Sequence, residues 1–293
     1  MITALLAELD VQPRRRAFRG TTLAMAAVVL ALVMLRFVTA SADTTRAVRD
    51  AEAEAARLTE MFGDLTVPAH TYVEPRYMFA GQFPHDLAGV VIGFALLAFV
   101  GGALLVGGDW RTGAVRMSLT GRSSRAVPCS ARVVVWAASS MVVAVLLAVV
   151  LTASMLAVAA LRGSTSGVDL LGTVFMLARG GLVVLAAAGA GAALGTVLRS
   201  DVAVVVLVLA YVLLVETLVP VLVMGFRTPG AVVHAFVRSE DLSRSGTFTC
   251  DVPRCPEPVL AGVGGWSGYM LIAGILVASV VMAVLGARRP VWR

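Results

Sequence analysis

The stretch that decides the fold is Ala186–Glu216, AAAGAGAALGTVLRSDVAVVVLVLAYVLLVE. Two apolar runs flank the three residues Arg199–Asp201, which read RSD. A helix needs about 20 apolar residues to cross the hydrocarbon core of a bilayer, and each run belongs to a segment of that length. Three residues between two such helices allow only a tight turn. The stretch therefore predicts two antiparallel membrane spans.

The whole chain has the composition of a membrane protein. Of its 293 residues, 59% are hydrophobic and 14% are charged, against about 45–50% and 25% in soluble domains. The segments long and apolar enough to span a bilayer are 21–40, 86–107, 133–161, 170–198, 202–224 and 266–285. We therefore expect an all-α polytopic membrane protein with six transmembrane helices. They would form a single transmembrane domain over residues 1–293.

The distribution of arginine predicts the orientation of the spans. Arginines are densest in the segments that we assign to the inner side: 1–20, 108–132, 199–201 and 286–293. Because cytoplasmic segments carry an excess of basic residues, both termini are expected in the cytoplasm. Residues 1–20 would form a cytoplasmic elbow, and 41–85 and 225–265 would be extracellular segments of a multi-pass plasma-membrane protein.

Several function classes lack the residues that their chemistry needs. All 24 basic residues are arginine, so a Walker A phosphate loop and a Schiff-base lysine are both excluded. The three histidines are scattered and form no H-E-x-x-H arrangement, so we predict neither a metal site nor catalytic residues. The positive charge adjoins the spans, which argues against a nucleic-acid partner. We expect no cofactor in this chain.

A cationic segment, Gly108–Arg125, GDWRTGAVRMSLTGRSSR, lies between the second and third predicted spans. Its amphipathic character is modest. Charge alone favours a cytoplasmic loop whose arginines contact phosphate groups of membrane lipids. The order of its residues indicates a more specific role.

That order resembles the cytoplasmic segment of type-2 ATP-binding-cassette (ABC) permeases: an acid, an aromatic residue, a Thr-Gly core, then Arg, Leu and a basic pair. Asp109 stands where this family more often has Glu, and Trp110 where it usually has Tyr or Phe. The resemblance extends over about Gln82–Glu216. The lysine usual at the entry to the third span is absent, and LLAELDVQPRRRAFRG only loosely resembles the family's basic elbow helix.

The resemblance implies a permease subunit of an exporter, not an enzyme. It would act as a dimer, with a second copy or a homologous permease, and with two copies of an ATPase subunit that holds ATP and Mg²⁺. The segment after the second span would be an amphipathic coupling helix docked on that ATPase. The residues we expect to carry coupling are Asp109, Trp110, Arg111, Thr112, Gly113, Arg116, Leu119 and Arg122. Arginine forks and a small glycine suit such docking.

The cargo expected from the apolar spans is a hydrophobic or amphipathic compound such as a drug, an antibiotic or a lipid. One alternative is a non-transporting membrane scaffold or sensor subunit that binds an ATPase. A less favoured one is an intramembrane enzyme that uses Glu216, Asp86 and a histidine. Membrane lipids are partners in every case.

Arg179 and Glu216 are ionisable residues inside the fourth and fifth predicted spans. The rise of about 1.5 Å per residue brings them within reach of an ion pair across the predicted hairpin. Charges at this depth normally face a partner or a cavity. The two residues would either pin the helices together or line the substrate route.

Three further features have two interpretations each. Cys250 and Cys255, in the last extracellular segment, would form a disulfide or remain free thiols. His85 and Asp86, at the start of the second span, would form a solvated helix cap or sense protons. Gly189, Gly191 and Gly195 would pack helices closely within one subunit or form a moving interface.

Overall fold

The computed structural model describes residues 2–42, 76–111, 126–219, 228–238 and 266–288, together with nine helical positions between residues 45 and 61. The described helices are α1 (Ile2–Val11), α2 (Arg16–Thr39), α3 (Phe79–Arg111), α4 (Ala126–Arg162), α5 (Leu170–Leu198), α6 (Asp201–Tyr211), α7 (Pro229–Arg238) and α8 (Trp266–Arg288). A 3₁₀ turn, Gln12–Arg14, joins α1 to α2, and α6 continues as a π-helical segment, Val212–Leu218. Two short parallel strands, Tyr77–Met78 and Gly163–Ser164, pair with each other.

Among the described helices, α2, α3, α4, α5 and α8 are long and apolar enough to cross a membrane. The prediction of an all-helical, multi-pass membrane protein is therefore confirmed. The fifth predicted span corresponds to a shorter apolar helix, Val202–Leu218. Its predicted continuation to residue 224 lies outside the described residues, so the count of six spans stays a prediction.

Helix α5 has the predicted bounds, Leu170–Leu198. Its first turn is capped by Asp169, whose Oδ1 accepts the Gly172 N–H at 2.9 Å. Its last turn closes on Arg199, which adopts a left-handed conformation with φ of 54°. The Ser200 Oγ then accepts the Ala203 N–H at 3.3 Å and caps α6. Three residues thus end one helix and start the next, as the RSD sequence predicts.

Helices α3 and α4 begin about two turns earlier than the predicted starts at residues 86 and 133. The prediction ended each span where polar residues interrupt the apolar run. In the structure the charges near those ends have partners, Arg36 for Asp86 and Glu8 for Arg132. A paired charge removes the need to end the helix, so both helices continue through these residues.

Helix α5 forms the centre of the bundle, where it packs against α3, α4 and α8. Its approach to α3 is close enough for backbone contact. A Cβ on Gly191 would overlap the Phe99 carbonyl oxygen, and one on Gly195 would lie 2.8 Å from the Ala103 carbonyl oxygen. Gly189 has a different surrounding, because the atoms of α8 nearest to its Cβ position are 3.8 Å away. The contact of α5 with α3 fits the interpretation of close packing within one subunit.

Trp136 of α4 is the largest fully buried side chain among the described residues, and it packs beside α3. Its indole Nε1 donates a hydrogen bond to the Ala98 carbonyl oxygen at 3.0 Å. A Cβ on Gly102 would lie 2.7 Å from that nitrogen, and one on Gly101 would lie 2.7 Å from the ring carbon Cζ2. The glycine pair therefore makes room for the indole and lets α3 contact both α4 and α5.

Replacing Gly191 by Ala is expected to destabilise the protein, because backbone cannot move aside as a flexible side chain can. Overpacking of this kind costs about 1–3 kcal/mol. The apparent melting temperature of the purified protein in detergent should fall by several degrees. Gly189→Ala is the matched control, and it should melt like the wild type or slightly higher. Equal melting of Gly191→Ala and Gly189→Ala would contradict the close packing of α5 on α3.

Candidate functional site

Four charged side chains meet where the second predicted span ends, and we call Glu8, Arg15, Asp109 and Arg132 the elbow cluster. Arg15 Nη1 lies 2.8 Å from Asp109 Oδ2, and Arg15 Nη2 lies 2.6 Å from Glu8 Oε1. Arg132 contacts the same two oxygens, at 3.2 Å from Asp109 Oδ2 and 3.0 Å from Glu8 Oε1. Each carboxylate therefore forms an ion pair with both arginines.

The elbow cluster is a balanced set of two positive and two negative charges. Its side chains are only 13–22% exposed, so water screens the attractions less than at an open surface. Removal of one acid would leave two arginines close to a single carboxylate. Because its four residues come from different elements, the elbow cluster joins α1, the start of α2, the end of α3 and the start of α4.

Trp110 extends this connection to the other helices. The Arg199 guanidinium carbon lies 4.5 Å from the centroid of the Trp110 ring, a cation–π contact. Arg199 Nη2 also donates to the Gly286 carbonyl oxygen at 3.1 Å. The turn between α5 and α6 and the end of α8 are thus joined to the end of α3.

Of the predicted coupling residues, Asp109 and Trp110 are described with their side chains, and both contact the bundle. Arg111 is the last residue of α3, and its backbone alone is described. The others lie outside the described residues: Thr112, Gly113, Arg116, Leu119 and Arg122. The cationic segment therefore starts from two residues whose partners lie at the start of α2, in α4 and at the end of α5. Asp109 forms ion pairs with Arg15 and Arg132 of the same chain, and its contact with an ATPase stays a prediction.

Sequence reasoning missed the partners of Asp109 and Trp110. Glu8, Arg15, Arg132 and Arg199 all flank predicted spans on one side, and that could have marked them as candidates. The sequence could not pair them, because the pairing depends on which helix ends are neighbours.

A second charge group lies near the opposite end of α2 and the first turns of α3. Arg36 Nη2 lies 2.5 Å from Asp86 Oδ1, and Arg36 Nε lies 3.0 Å from Asp86 Oδ2. The Tyr77 hydroxyl donates to Asp86 Oδ2 at 3.0 Å. Burial, with the adjacent Asp86 carboxylate, raises the pKa of Tyr77, so the hydroxyl stays protonated as a donor.

The interpretation of Asp86 as a solvated helix cap is wrong. Its side chain is 6% exposed and lies two turns inside α3, where a cap is not needed. The missed partner, Arg36, could have been found as an arginine within an apolar span, since such a residue requires a counter-charge.

His85 Nδ1 lies 2.8 Å from Arg238 Nη1, and its ring lies 5.5 Å from the His234 ring. These contacts attach α7 to α3.

Arg179 and Glu216 have different partners in the structure, and the predicted ion pair between them is not among the described contacts. Arg179 Nε donates to the Tyr269 hydroxyl at 3.1 Å, with its guanidinium 6.0 Å from the Phe236 ring centroid. Glu216 Oε1 accepts from the Tyr211 hydroxyl at 2.5 Å and from the Gly230 N–H at 2.9 Å. The hairpin geometry could not give the faces of the helices, and these decide which partner each side chain reaches.

Glu216 lines a cavity of about 690 Å³ between α3, α5, α6, α7 and α8. Its walls are mostly apolar, with Phe99, Ala190 and Ile272 as examples from three of the helices. Among the described lining residues Glu216 is the one charged side chain. Small-molecule sites commonly have volumes of about 300–1,000 Å³, apolar walls and a few fixed polar groups. This cavity has all three properties.

The carboxylate belongs to the π-helical segment Val212–Leu218. Interruptions of this kind occur frequently at functional sites, because they change the direction in which side chains point.

The predicted disulfide cysteines, Cys250 and Cys255, lie outside the described residues. Cys129 is buried near the start of α4 as a free thiol.

Replacing Arg36 by Leu is expected to destabilise the protein by about 3 kcal/mol. This is the lower end of the range for a broken buried pair, because Arg36 is partly exposed. The loss should appear as a lower melting temperature in detergent. The double variant Arg36→Leu with Asp86→Asn removes both charges and should recover most of the loss, with Tyr77 still bonded to the amide. A double variant as unstable as Arg36→Leu alone would contradict a charge-pairing role.

Comparison of the chain with protein-family models gave no match, and comparison with the sequences of curated proteins gave none either.

Proposed function

We propose that this chain is the membrane-spanning permease subunit of an ABC exporter in the plasma membrane. ATP, with Mg²⁺, would be hydrolysed by a separate ATPase subunit present in two copies. A second copy of this chain or a homologous permease would complete the transporter. The cargo would be a hydrophobic or amphipathic compound.

The observation that carries the proposal is the elbow cluster at the base of the cationic segment. A coupling helix transmits force only if its attachment to the bundle is stiff. Asp109 is held by Arg15 and Arg132, and Trp110 lies under Arg199. A push on the following residues would therefore reach α1, α4, α5 and α8 together with α3. A lipid-facing loop would not need this attachment.

The same contacts support the six-span topology. Arg15 at the start of α2, Asp109 at the end of α3 and Arg132 near the start of α4 are joined in one cluster. Arg199 at the end of α5 contacts Gly286 near the end of α8. The helix ends that a cytoplasmic side would share are thus adjacent. With Val202–Leu218 as the fifth span, both termini would lie on that side.

The cavity beside α5 supports a transport role over a scaffold role. A subunit that only binds an ATPase has no use for an apolar space of about 690 Å³ within its bundle. Closure of the ATPase pair would shift the bundle between two arrangements that differ in their affinity for cargo. Three of the helices that line the cavity, α3, α5 and α8, are also joined by the contacts of Arg199 with Trp110 and Gly286.

Transport by the assembled complex tests the proposal against its alternatives. The tagged chain is purified with the ATPase that accompanies it and placed in proteoliposomes. ATP-dependent movement of a lipophilic fluorescent compound is expected. A complex that hydrolyses ATP without moving any compound would favour the scaffold or sensor. Chemical turnover by the purified chain alone would favour the intramembrane enzyme.

Replacing Asp109 by Asn is expected to reduce cargo-stimulated ATPase activity at least about fivefold, the lower end of typical coupling effects. The complex should still assemble, because the rest of the cationic segment is unchanged. Asp169→Asn is the matched control. It makes the same substitution at the residue that caps the first turn of α5, away from the elbow cluster. Because Asn caps a helix as well as Asp does, cargo-stimulated ATPase activity should be unchanged.

Both Asp variants are compared by co-purification and by stimulated ATPase rates. The docking contacts themselves are tested by Arg116→Ala and Arg122→Ala, which should lower coupling or assembly. Unchanged coupling in Asp109→Asn, Arg116→Ala and Arg122→Ala would return the segment to a simple lipid-facing loop.

A further inference from the structure

The cavity beside α5 combines a large apolar volume with a single negative charge. The residues that contribute most of its wall are aliphatic, aromatic or alanine, including Leu96, Ala187, Leu207 and Ile275. Such walls bind a hydrophobic body and exclude water from around it. The Glu216 carboxylate is the one charge among the described lining residues.

Neutral groups hold this carboxylate in place. Glu216 Oε1 accepts from the Tyr211 hydroxyl at 2.5 Å and from the Gly230 N–H at 2.9 Å. Among the described residues no arginine forms an ion pair with it. Neutral donors fix an anion without cancelling its charge, so Glu216 presents an uncompensated carboxylate among the described residues that line the cavity.

That combination points to one class of ligand. A carboxylate facing an apolar volume favours a cation, because the attraction is stronger where water is excluded. A bare metal ion does not fit, since Ca²⁺ and Mg²⁺ require about six or more oxygen ligands. An anion would be repelled, and a neutral compound would gain nothing from the charge. The ligand that uses both features is an organic cation with a large apolar body.

We propose that the cavity between α3, α5, α6, α7 and α8 binds a lipophilic organic cation, with Glu216 as its counter-charge. The inference rests on the proposed function in one respect, since it takes this ligand to be the cargo. It adds the charge of the cargo and the residue that selects it. Arg179, bonded to Tyr269, does not line the cavity and has no part in this selection.

Glu216 also has a structural use, because it accepts the Gly230 N–H in the first turn of α7. Glu216→Gln separates the two uses. The amide oxygen can still accept that hydrogen bond, whereas the negative charge is lost. A purely structural carboxylate would therefore show no difference between ligand charges when it is replaced by Gln.

The test measures binding to the purified chain in detergent, without ATP or ATPase, by equilibrium dialysis against a detergent blank. Tetraphenylphosphonium and tetraphenylborate have the same shape and opposite charge, and N-phenyl-1-naphthylamine serves as the neutral probe. The wild type should bind tetraphenylphosphonium at least tenfold more tightly than tetraphenylborate. Glu216→Gln should weaken tetraphenylphosphonium binding at least tenfold, which is about 1.4 kcal/mol, with the neutral probe unchanged.

Two controls locate the site. Asp169→Asn removes an acid that does not line the cavity and should bind all three probes like the wild type. Ala190→Phe fills the cavity from α5 and should weaken both the cation and the neutral probe. The proposal would be overturned if Glu216→Gln and the wild type bound tetraphenylphosphonium equally tightly. It would also be overturned if the wild type bound tetraphenylphosphonium and tetraphenylborate with the same affinity, or bound neither of them.

This measurement is independent of transport. Charge-selective binding in a chain that moves no cargo would uphold the cation site and contradict the exporter. Transport of a neutral compound, without preferential binding of cations and without an effect of Glu216→Gln, would uphold the exporter and contradict the cation site.

Discussion

The close approach of α5 to α3 is the contact on which the rest of the bundle depends. Gly191 and Gly195 bring the backbone of α5 against the carbonyl oxygens of Phe99 and Ala103. In lipid there is little hydrophobic force between helices, so close van der Waals contact and hydrogen bonds hold them together. With α5 and α3 joined in this way, α4 and α8 pack on the remaining faces of α5.

Charge is placed at the ends of this core. The elbow cluster joins helix ends on one side, and Arg36 with Asp86 joins α2 to α3 on the other. Both groups balance positive with negative charge, which lowers the cost of placing them near lipid. Glu216 differs because its described partners are neutral. Compensated charges suit the elbow cluster to a mechanical role, whereas a carboxylate held by neutral groups suits Glu216 to a binding role.

The small residues of α5 have a second consequence on its other side. Ala186, Ala187 and Ala190 line the cavity, and their short side chains leave the space between α5 and α6 open. The run AAAGAGAA therefore serves two surfaces. Gly191 allows contact with α3, and Ala186, Ala187 and Ala190 leave room for the cavity. A helix of larger apolar residues would lose both the close contact and the open space.

The sequence by itself determined the helical, membrane-spanning class and the local turn chemistry. Leu170–Leu198 could be delimited because an apolar run ends at an acid that caps it and at the RSD turn, and both signals are local. Only the tertiary structure decided how the charges pair. Asp86 bonds with Arg36, 50 positions away, and Asp109 with Arg15, 94 positions away. Arg179 bonds with Tyr269 and Glu216 with Tyr211, and neither is the partner that the sequence predicted. The physical reason is that spacing along the chain sets the depth of a side chain in a span, whereas its partner depends on the rotation and neighbours of its helix, which packing alone sets.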